Sequence, residues 1–308
     1  MAKEKKVKRV KPQLLKGFRD YSPAEQIARE EMLGKLRDAV ELMGFLPLQT
    51  ASLEFAETLL GPHYTSDNLQ ELFGFTGPDE VDMALRYEFT VSLARYVAAH
   101  PQLPLPFRRY QYGTVWRVDK PGPGRYREFM QFDIDIVGTR NLLADAEIIA
   151  TMVRVFQALG IERFVVGYSN RKILNGLVEW AGIPAERGPD VMRVLDKLER
   201  IEEAGVLQEL GEGRVDESGD TIEGLHLPQE QISRIKDFIH TIHFAGHAPA
   251  EREQRLKAAK ELLAGVDAAV EGFLELEQIR AYLVNMNVPE DKVEENLTIV
   301  RGLGYYTG

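Results

Sequence analysis

Hydrophobic side chains recur at helical spacing in several stretches of the chain. In residues 23–43 they are Ile27, Leu33, Leu36, Val40 and Met43, which fall on one helix face. Ser22 is a candidate N-cap, Pro23 takes the first helical position, and Gly44 follows the end. Similar spacing predicts further helices over 90–100, 145–160 and 171–182.

Alternation predicts a β-hairpin in the middle of the chain. Residues 107–118 are rich in aromatic and β-branched side chains, the loop 119–126 is dense in Gly and Pro, and residues 127–138 alternate strictly. On the second strand, one face carries Met130, Phe132, Ile134 and Ile136, and the other carries Phe129, Gln131, Asp133 and Asp135. Two consecutive strands joined in this way pair antiparallel.

The remaining elements are shorter strands and a long helical stretch. Strands are predicted over 45–50, 82–89, 162–170 and 295–308. Residues 184–287 are almost purely helical, with a polar break at 211–224, and we interpret them as a helical insertion. Within them Leu195, Leu198 and Ile201 form a stripe typical of a core, whereas Lys197 and Glu202 are expected on a solvated face.

Composition places the chain among globular proteins. Its 308 residues are 44% hydrophobic and 28% charged, which excludes disordered, collagen-like and disulfide-rich classes. Cys is absent, so Cys nucleophiles and thiolate metal sites are excluded. No apolar run approaches the roughly 18 residues of a membrane span, and the basic N-terminus lacks a secretory apolar core. We therefore expect a soluble, cytoplasmic protein without a membrane partner.

The charge is unevenly distributed. The net charge of −10 argues against a general nucleic-acid coat protein. However, residues 107–127 carry six basic side chains against Asp119 alone, and residues 1–20 carry eight against Glu4 and Asp20. A basic strip on an acidic body suits a compact polyanion such as a nucleotide or an RNA end. Residues 1–13 are equally typical of a disordered tail.

The polar face of the second hairpin strand carries candidate binding chemistry. Gln131, Asp133 and Asp135 lie beside an aromatic residue, and the partner strand and loop carry several Arg. Opposed carboxylates and guanidiniums on one sheet face can hold a zwitterionic or phosphorylated ligand. The alternative is a surface ion-pair network worth about 0–1 kcal/mol per pair, and the pattern leaves both open.

Two weaker motifs are set aside. The loop PGPGR at 121–125 is Gly-rich but lacks the GK[ST] of a P-loop. His240, His243 and His247 share a helix face, but nothing nearby supplies further ligands, and no metal-ligating residue is predicted.

Five stretches, in order along the chain, resemble one family. VWRVD (115–119) and RYREFMQFD (125–133) resemble the two halves of motif 2 of class II aminoacyl-tRNA synthetases. LDKLERI (195–201) resembles a run in the helical insertion of the histidyl-tRNA synthetases. Three further stretches resemble signatures of the same family: LLKGFRDYSP (14–23), ALRYEFTVSLARY (84–96) and VRGLGYYTG (300–308).

The resemblance implies an α+β fold with a class II antiparallel sheet flanked by helices. Residues 1–13 would be the tail, 14–183 the catalytic core with motifs 1 and 2, 184–287 the helical insertion, and 288–308 an incomplete return to the core. The family continues with further strands, motif 3 and an anticodon-binding domain. The resemblance therefore implies a core truncated at its C-terminus, and a chain that is incomplete as an enzyme on its own.

The implied activity is that of a histidine–tRNA ligase. Histidine and ATP would give histidyl-adenylate and pyrophosphate, and the histidyl group would pass to the 3′ end of the histidine tRNA. Mg²⁺ would bridge the ATP phosphates, and the enzyme would be a homodimer. The alternatives are the regulatory subunit of ATP phosphoribosyltransferase, a histidine-sensing paralogue, and a non-catalytic tRNA- or histidine-binding fragment.

Site residues follow from the matched motifs. The catalytic arginines on the α-phosphate would be Arg117 and Arg301. The ATP-binding residues would be Arg117, Asp119, Arg125 and Phe129. The histidine-binding residues would be Glu88, Thr90, Gln131, Asp135, Tyr305 and Tyr306. The departures from the family pattern are Asp119 for the more common Glu, Ala51 near the motif 1 proline, and Gly304 for Asp.

Overall fold

The computed structural model describes residues 11–61, 66–216, 219–242 and 249–300. The chain forms two compact units, residues 1–139 and residues 140–308. In the first unit the helices are α1 (Pro23–Glu41), α2 (Ala56–Leu60) and α3 (Thr90–Ala99), with a 3₁₀ turn at Ser66–Glu71. Its strands are β1 (Leu46–Pro47), β2 (Leu53–Phe55), β3 (Gly74–Thr76), β4 (Asp82–Leu85), β5 (Phe107–Trp116) and β6 (Glu128–Val137).

Helix α1 begins where its capping residues predict. The Ser22 amide donates to Glu25 Oε2 over 2.7 Å, and the Ser22 hydroxyl faces the Glu25 amide at 3.4 Å, which forms a capping box. Of the predicted apolar face, Leu33 and Val40 are buried but Ile27 is exposed. The face is therefore only partly covered within the described residues.

The predicted hairpin is confirmed over ten residue pairs. Strands β5 and β6 are antiparallel, and β1 adds to β5 in the parallel sense. A second sheet pairs β2, β4 and β3 antiparallel. Of these two small sheets, the first is mixed and the second is antiparallel; the family resemblance led us to expect an antiparallel sheet. The strand expected over 82–89 ends at Leu85 because the chain turns into α3 five residues later.

The second unit is mainly helical. Its elements are α4 (Leu143–Ala158), β7 (Val166–Tyr168), α5 (Arg171–Trp180), α6 (Gly188–Leu195), α7 (Leu198–Leu210), β8 (Gly213–Val215), β9 (Thr221–Glu223), α8 (Gln229–Ile242), α9 (Pro249–Leu262), α10 (Asp267–Asn285) and β10 (Val293–Glu295), with 3₁₀ turns at Ala185–Arg187 and Glu290–Lys292. Buried side chains of α5 to α10 form one hydrophobic core. Helix α10 packs against α4 and α5. The interpretation of residues 184–287 as a separate insertion stays a prediction.

Three sequence expectations need correction in this unit. The polar break at 211–224 contains the antiparallel pair β8 and β9, which sequence patterning missed. The strand expected over 295–308 is wrong over residues 296–300, which are not strand. Only Glu295 lies in a strand, at the end of β10, which pairs parallel with β7; residues 301–308 lie outside the described residues. Lys197 does not lie on a solvated face, since its side chain is 22% exposed and pairs with buried Glu209. None of the helices that the structure describes is long and apolar enough to cross a bilayer.

Candidate active site

The register of the β5–β6 hairpin determines which side chains of the candidate site lie opposite one another. Arg109 lies opposite Asp135, Gln111 opposite Asp133, and Gly113 opposite Gln131. The expectation that Gln131, Asp133 and Asp135 share a face is therefore confirmed. The face is covered on β5, where Arg109 and Gln111 are 0% and 1% exposed, and partly exposed on β6, where the Asp135 side chain is 24% exposed. The pair of Arg109 and Asp135 is therefore not a surface ion pair, since one partner is fully buried.

Glu88 lies at the start of α3, and its position is set by the helix. One carboxylate oxygen accepts the Thr90 amide over 2.5 Å and the other accepts the Val91 amide over 2.7 Å. Amides at a helix N-terminus lack intrahelical partners and attract negative charge. Glu88 is 5% exposed, so α3 holds a buried carboxylate beside Thr90.

Arg117 links the hairpin to the segment that precedes α3. Its Nε donates to the Tyr87 carbonyl over 3.2 Å, and one terminal nitrogen donates to Gln131 Oε1 over 3.3 Å. The guanidinium carbon lies 5.0 Å from the centroid of the Phe129 ring, within range of a cation–π contact. Arg117 itself is exposed, so its guanidinium is accessible to a ligand while it contacts the site.

The three carboxylates of the site, those of Glu88, Asp133 and Asp135, lie close enough to influence one another. Burial raises the pKa of Asp133. The hydrogen bond from Gln131 lowers this pKa, and the negative charge of Glu88 raises it. That hydrogen bond runs from Gln131 Nε2 to Asp133 Oδ2 over 2.9 Å. Burial also raises the pKa of Asp135, with Asp133 and Glu88 adding to the rise and Arg109 opposing it. The site therefore holds concentrated negative charge that favours a cationic ligand group.

The hairpin loop carries the second set of predicted residues. Arg125 and Asp119 form an ion pair of 2.9 Å between side chains that are 66% and 43% exposed. Gly122 and Arg125 exchange two backbone hydrogen bonds of 3.1 and 3.0 Å, which closes the loop. Arg127 Nε donates to the Asp119 carbonyl over 3.1 Å. An exposed pair of this kind contributes little to stability and leaves both side chains accessible to a ligand.

The structure brings together most of the predicted site residues. Six of them surround one region of the first unit: Glu88, Thr90, Arg117, Phe129, Gln131 and Asp135. Two more, Asp119 and Arg125, lie in the adjoining loop. Arg301, Tyr305 and Tyr306 lie outside the described residues, as does the departure at Gly304.

Sequence reasoning missed the residues that support the site. Asp133 was placed on the correct face among the candidate binding carboxylates, but it was not assigned to the implied histidine or ATP site. Arg109 and Gln111 were not singled out, although alternation on β5 places them opposite the two Asp residues. The hairpin register was the signal that could have found them.

The residues present fit a zwitterionic ligand better than a resident metal. A ligand ammonium would face the carboxylates, and a carboxylate or phosphate would face Arg117. Among the described residues there is no group of three or more His, Cys, Asp or Glu arranged to hold a metal ion. His240 pairs with Glu203 at 2.8 Å, and His243 and His247 lie outside the described residues.

Comparison with known proteins gives consistent matches. A family model described as histidyl-tRNA synthetase matches residues 17–308. The histidine–tRNA ligase of Jannaschia sp. is 39% identical over 330 aligned residues, which cover 100% of this chain and 64% of that protein. The histidine–tRNA ligase of Cereibacter sphaeroides is 40% identical over 322 aligned residues, with the same coverage. The chain thus spans about 64% of the length of these curated relatives.

Solved structures agree with the fold. The crystal structure of histidyl-tRNA synthetase from Nostoc sp. PCC 7120 matches with a TM-score of 0.79 and 30% identity, covering 97% of this chain and 64% of that chain. An ATP phosphoribosyltransferase regulatory subunit/histidyl-tRNA synthetase from Bacillus halodurans matches with a TM-score of 0.76 and 20% identity, covering 98% and 72%. The second likeness shows the fold alone. The α+β fold expected from the sequence is confirmed, and the chain belongs to the histidyl-tRNA synthetase family.

Proposed function

We propose that this chain carries the histidine- and ATP-binding part of a histidine–tRNA ligase. The observation that supports this most directly is the position of Arg117, which contacts Gln131 and Phe129 beside the partly buried carboxylates of the site. One side of that arrangement suits an amino acid ammonium, and the other suits a carboxylate and a phosphate. The reaction of this family joins the carboxylate to the phosphate.

The first step would be adenylate formation. A carboxylate oxygen of histidine would attack the α-phosphorus of ATP and form a new P–O bond. The bond to the bridging oxygen of the β-phosphate would break, and pyrophosphate would leave with the electron pair. Arg117 would hold the two reactants together and stabilise the negative charge on the α-phosphate oxygens, as would Arg301. No covalent enzyme intermediate is required.

Histidine would be bound through both of its ends. Glu88, Thr90 and Gln131 would hold the α-amino group, and Asp135 would accept a hydrogen bond from one ring nitrogen. Tyr305 and Tyr306 would also bind histidine. A site that pairs a buried polar group with the substrate strongly rejects analogues that lack the partner, which would give selectivity for histidine over apolar amino acids.

ATP would bind along the hairpin and its loop. Phe129 would stack on adenine, Asp119 would accept from the adenine amino group, and Arg125 would contact the distal phosphates. The exposed Asp119–Arg125 ion pair would open at small energetic cost. The described residues include no group of three or more His, Cys, Asp or Glu arranged to hold a metal ion, and Mg²⁺ would enter the site bound to the phosphates of ATP.

The remaining parts of the proposal concern the whole protein. The histidyl group would pass from the adenylate to the 3′ end of the histidine tRNA, in a cytoplasmic homodimer. These partners are those of the family, and this chain spans only about 64% of its curated relatives.

Binding and exchange experiments test the proposal separately. Calorimetric titration of the 308-residue chain with each amino acid should give a heat of binding for histidine only. The product of the whole reading frame should catalyse histidine-dependent exchange of labelled pyrophosphate into ATP. Histidine binding without exchange in that product would contradict the ligase assignment and favour the histidine-sensing paralogue. A lack of histidine binding by both proteins would contradict the site itself.

A further inference from the structure

Arg109 is the most deeply buried charge beneath the candidate histidine site. It is 0% exposed, and one terminal nitrogen lies 2.7 Å from Asp135 Oδ2. Its other terminal nitrogen lies 3.4 Å from Gln111 Oε1, at the long limit of a hydrogen bond. Burying a guanidinium is costly unless it is paired, so the Arg109–Asp135 pair is a constrained feature of the fold.

A chain of buried polar groups fixes Arg109 from below. Gln111 Nε2 donates to Thr50 Oγ over 2.9 Å, and the Thr50 carbonyl accepts from Arg86 over 2.9 Å. Thr50, Arg86 and Gln111 are each 6% exposed or less. This series of hydrogen-bonded polar groups runs from the segment before β2 through β5 to Asp135. It limits the rotamers available to Arg109.

The electrostatic surroundings of Asp135 give Arg109 a second role. Asp133 and Glu88 raise the pKa of the Asp135 carboxyl in addition to burial, and Arg109 is the positive group that opposes them. Without Arg109, Asp135 would be a partly buried carboxylate whose remaining charged neighbours, Asp133 and Glu88, are both carboxylates. Such a group either takes up a proton or requires a cationic ligand.

We propose that Arg109 positions Asp135 and thereby sets the ring form of histidine that the site accepts, namely the neutral imidazole. The pair as a whole carries no net charge, so Asp135 acts as a hydrogen-bond acceptor for a ring N–H and does not call for an imidazolium. Arg109 is a positioning residue, since it acts through Asp135. This inference rests on the proposed function, because it assumes that Asp135 faces the imidazole ring.

The expected signature is a pH profile. For the unaltered chain, histidine affinity should fall as the pH drops through the ring pKa of free histidine, which is about 6.5. In Arg109→Met the affinity at pH 7.5 should fall about tenfold or more, the effect of about one pKa unit in differential interaction. At pH 5.5 the loss should be smaller, because the imidazolium itself supplies the missing positive charge.

Calorimetric titration with histidine at both pH values tests the inference, with three variants compared with the unaltered chain. Arg109→Lys keeps the charge on a side chain with a different reach and should shift the profile partially, which keeps the test usable if Arg109→Met does not fold. Arg95→Met is the matched control, since it breaks another ion pair of the same unit, with Glu54 at 2.8 Å. The control should melt at a lower temperature and keep the unaltered pH profile.

Two results would overturn the inference in distinguishable ways. If the unaltered chain binds histidine and both folded Arg109 variants keep its pH profile, Arg109 is structural only and the proposed function stands. If the unaltered chain does not bind histidine at either pH, the proposed function fails and this inference fails with it.

Discussion

The carbonyl of Gly17 accepts a 2.8 Å hydrogen bond from the backbone amide of Arg127, which ties the N-terminal segment to the base of the hairpin loop. Arg127 in turn accepts from the Arg117 amide over 2.8 Å and donates to the Asp119 carbonyl. Two residues of the candidate ATP site are therefore positioned through a contact with a segment that lies outside motif 2.

Gly17→Ala should weaken ATP binding more than histidine binding. Gly17 has φ +88°, and an added Cβ would lie 2.9 Å from Arg127 Cγ and 3.0 Å from Pro121 Cγ. The substitution would strain the backbone and displace the loop that carries Asp119 and Arg125, at a stability cost of about 1–2 kcal/mol. Nucleotide titration and thermal denaturation measure the two effects.

Gly44→Ala is the matched control for Gly17→Ala. Gly44 has a similar φ of +82°, but an added Cβ would meet no atom within 4 Å. It should lose stability through backbone strain alone and keep the ATP affinity of the unaltered chain. Equal loss of ATP affinity in both variants would show that the Gly17 contact does not position the loop.

Arg117→Ala should abolish adenylate formation and leave the fold intact. The side chain is exposed, and its polar contacts are those with the Tyr87 carbonyl and Gln131, so its removal leaves no deeply buried charge unpaired. Pyrophosphate exchange by the product of the whole reading frame should fall by a factor of about 10² or more, in the range seen when one transition-state donor is removed.

Arg37→Ala provides the comparison for Arg117→Ala. Arg37 is an exposed arginine on α1, 3.8 Å from Asp38, and its removal should leave exchange unchanged. If Arg117→Ala instead lowers the melting temperature and retains exchange, Arg117 belongs to a structural network and not to the catalytic site.

The hairpin shows how far sequence patterning reaches at this site. Strict alternation on β6 places Gln131 and Asp135 on one face without any tertiary information, because successive strand residues point to opposite sides. It does not show that this face is covered. Arg109 contacts Gln111, and Gln111 in turn donates to Thr50, which lies 61 residues away in the sequence.

Short elements and long-range pairs were the harder part to predict. Strands β8 and β9 have three residues each within a polar stretch, so they offer no period to detect. Lys197 has the spacing of a solvated helix residue, yet it is drawn inward by Glu209, twelve residues later. In both cases the deciding partner comes from tertiary packing and not from the local pattern.

Glu88→Gln should separate helix capping from histidine binding. The carboxylate accepts two amide hydrogen bonds at the start of α3, and an uncharged amide would cap the helix less well, at about 1 kcal/mol. Loss of the charge should also raise the histidine dissociation constant about tenfold or more, because a charge-assisted bond to the ammonium disappears. Titration calorimetry and denaturant unfolding measure the two quantities.

Ser22→Ala controls for the loss of a helix cap. Ser22 caps α1 in the same unit, and its substitution should lower stability by a comparable amount without changing histidine affinity. A Glu88→Gln variant that behaves like Ser22→Ala in both measurements would reduce Glu88 to a capping residue.

Glu209 should make the stability of the second unit depend on pH. Its side chain is 2% exposed and forms ion pairs with Lys197 at 2.5 Å and Arg214 at 2.9 Å. Burial raises the pKa of Glu209, but the hydrogen bonds from Lys197 and Arg214 outweigh burial, and the pKa lies below its ordinary value of 4.5. A lowered folded-state pKa stabilises the fold above the unfolded pKa, and this contribution is lost as the pH falls through the folded-state value.

Glu209→Gln should therefore destabilise the chain most at neutral pH. There it leaves two partly buried cations without their counter-charge, a loss of about 3–5 kcal/mol for a buried pair. As the pH falls below about 4.5, the unaltered chain loses the same interaction, so the difference in unfolding free energy should shrink. Urea denaturation at pH 7 and at pH 3.5 measures it, with Glu277→Gln as control, since Glu277 forms an exposed ion pair with Lys260. A difference that stays constant between the two pH values would show that Glu209 is not held charged by its partners.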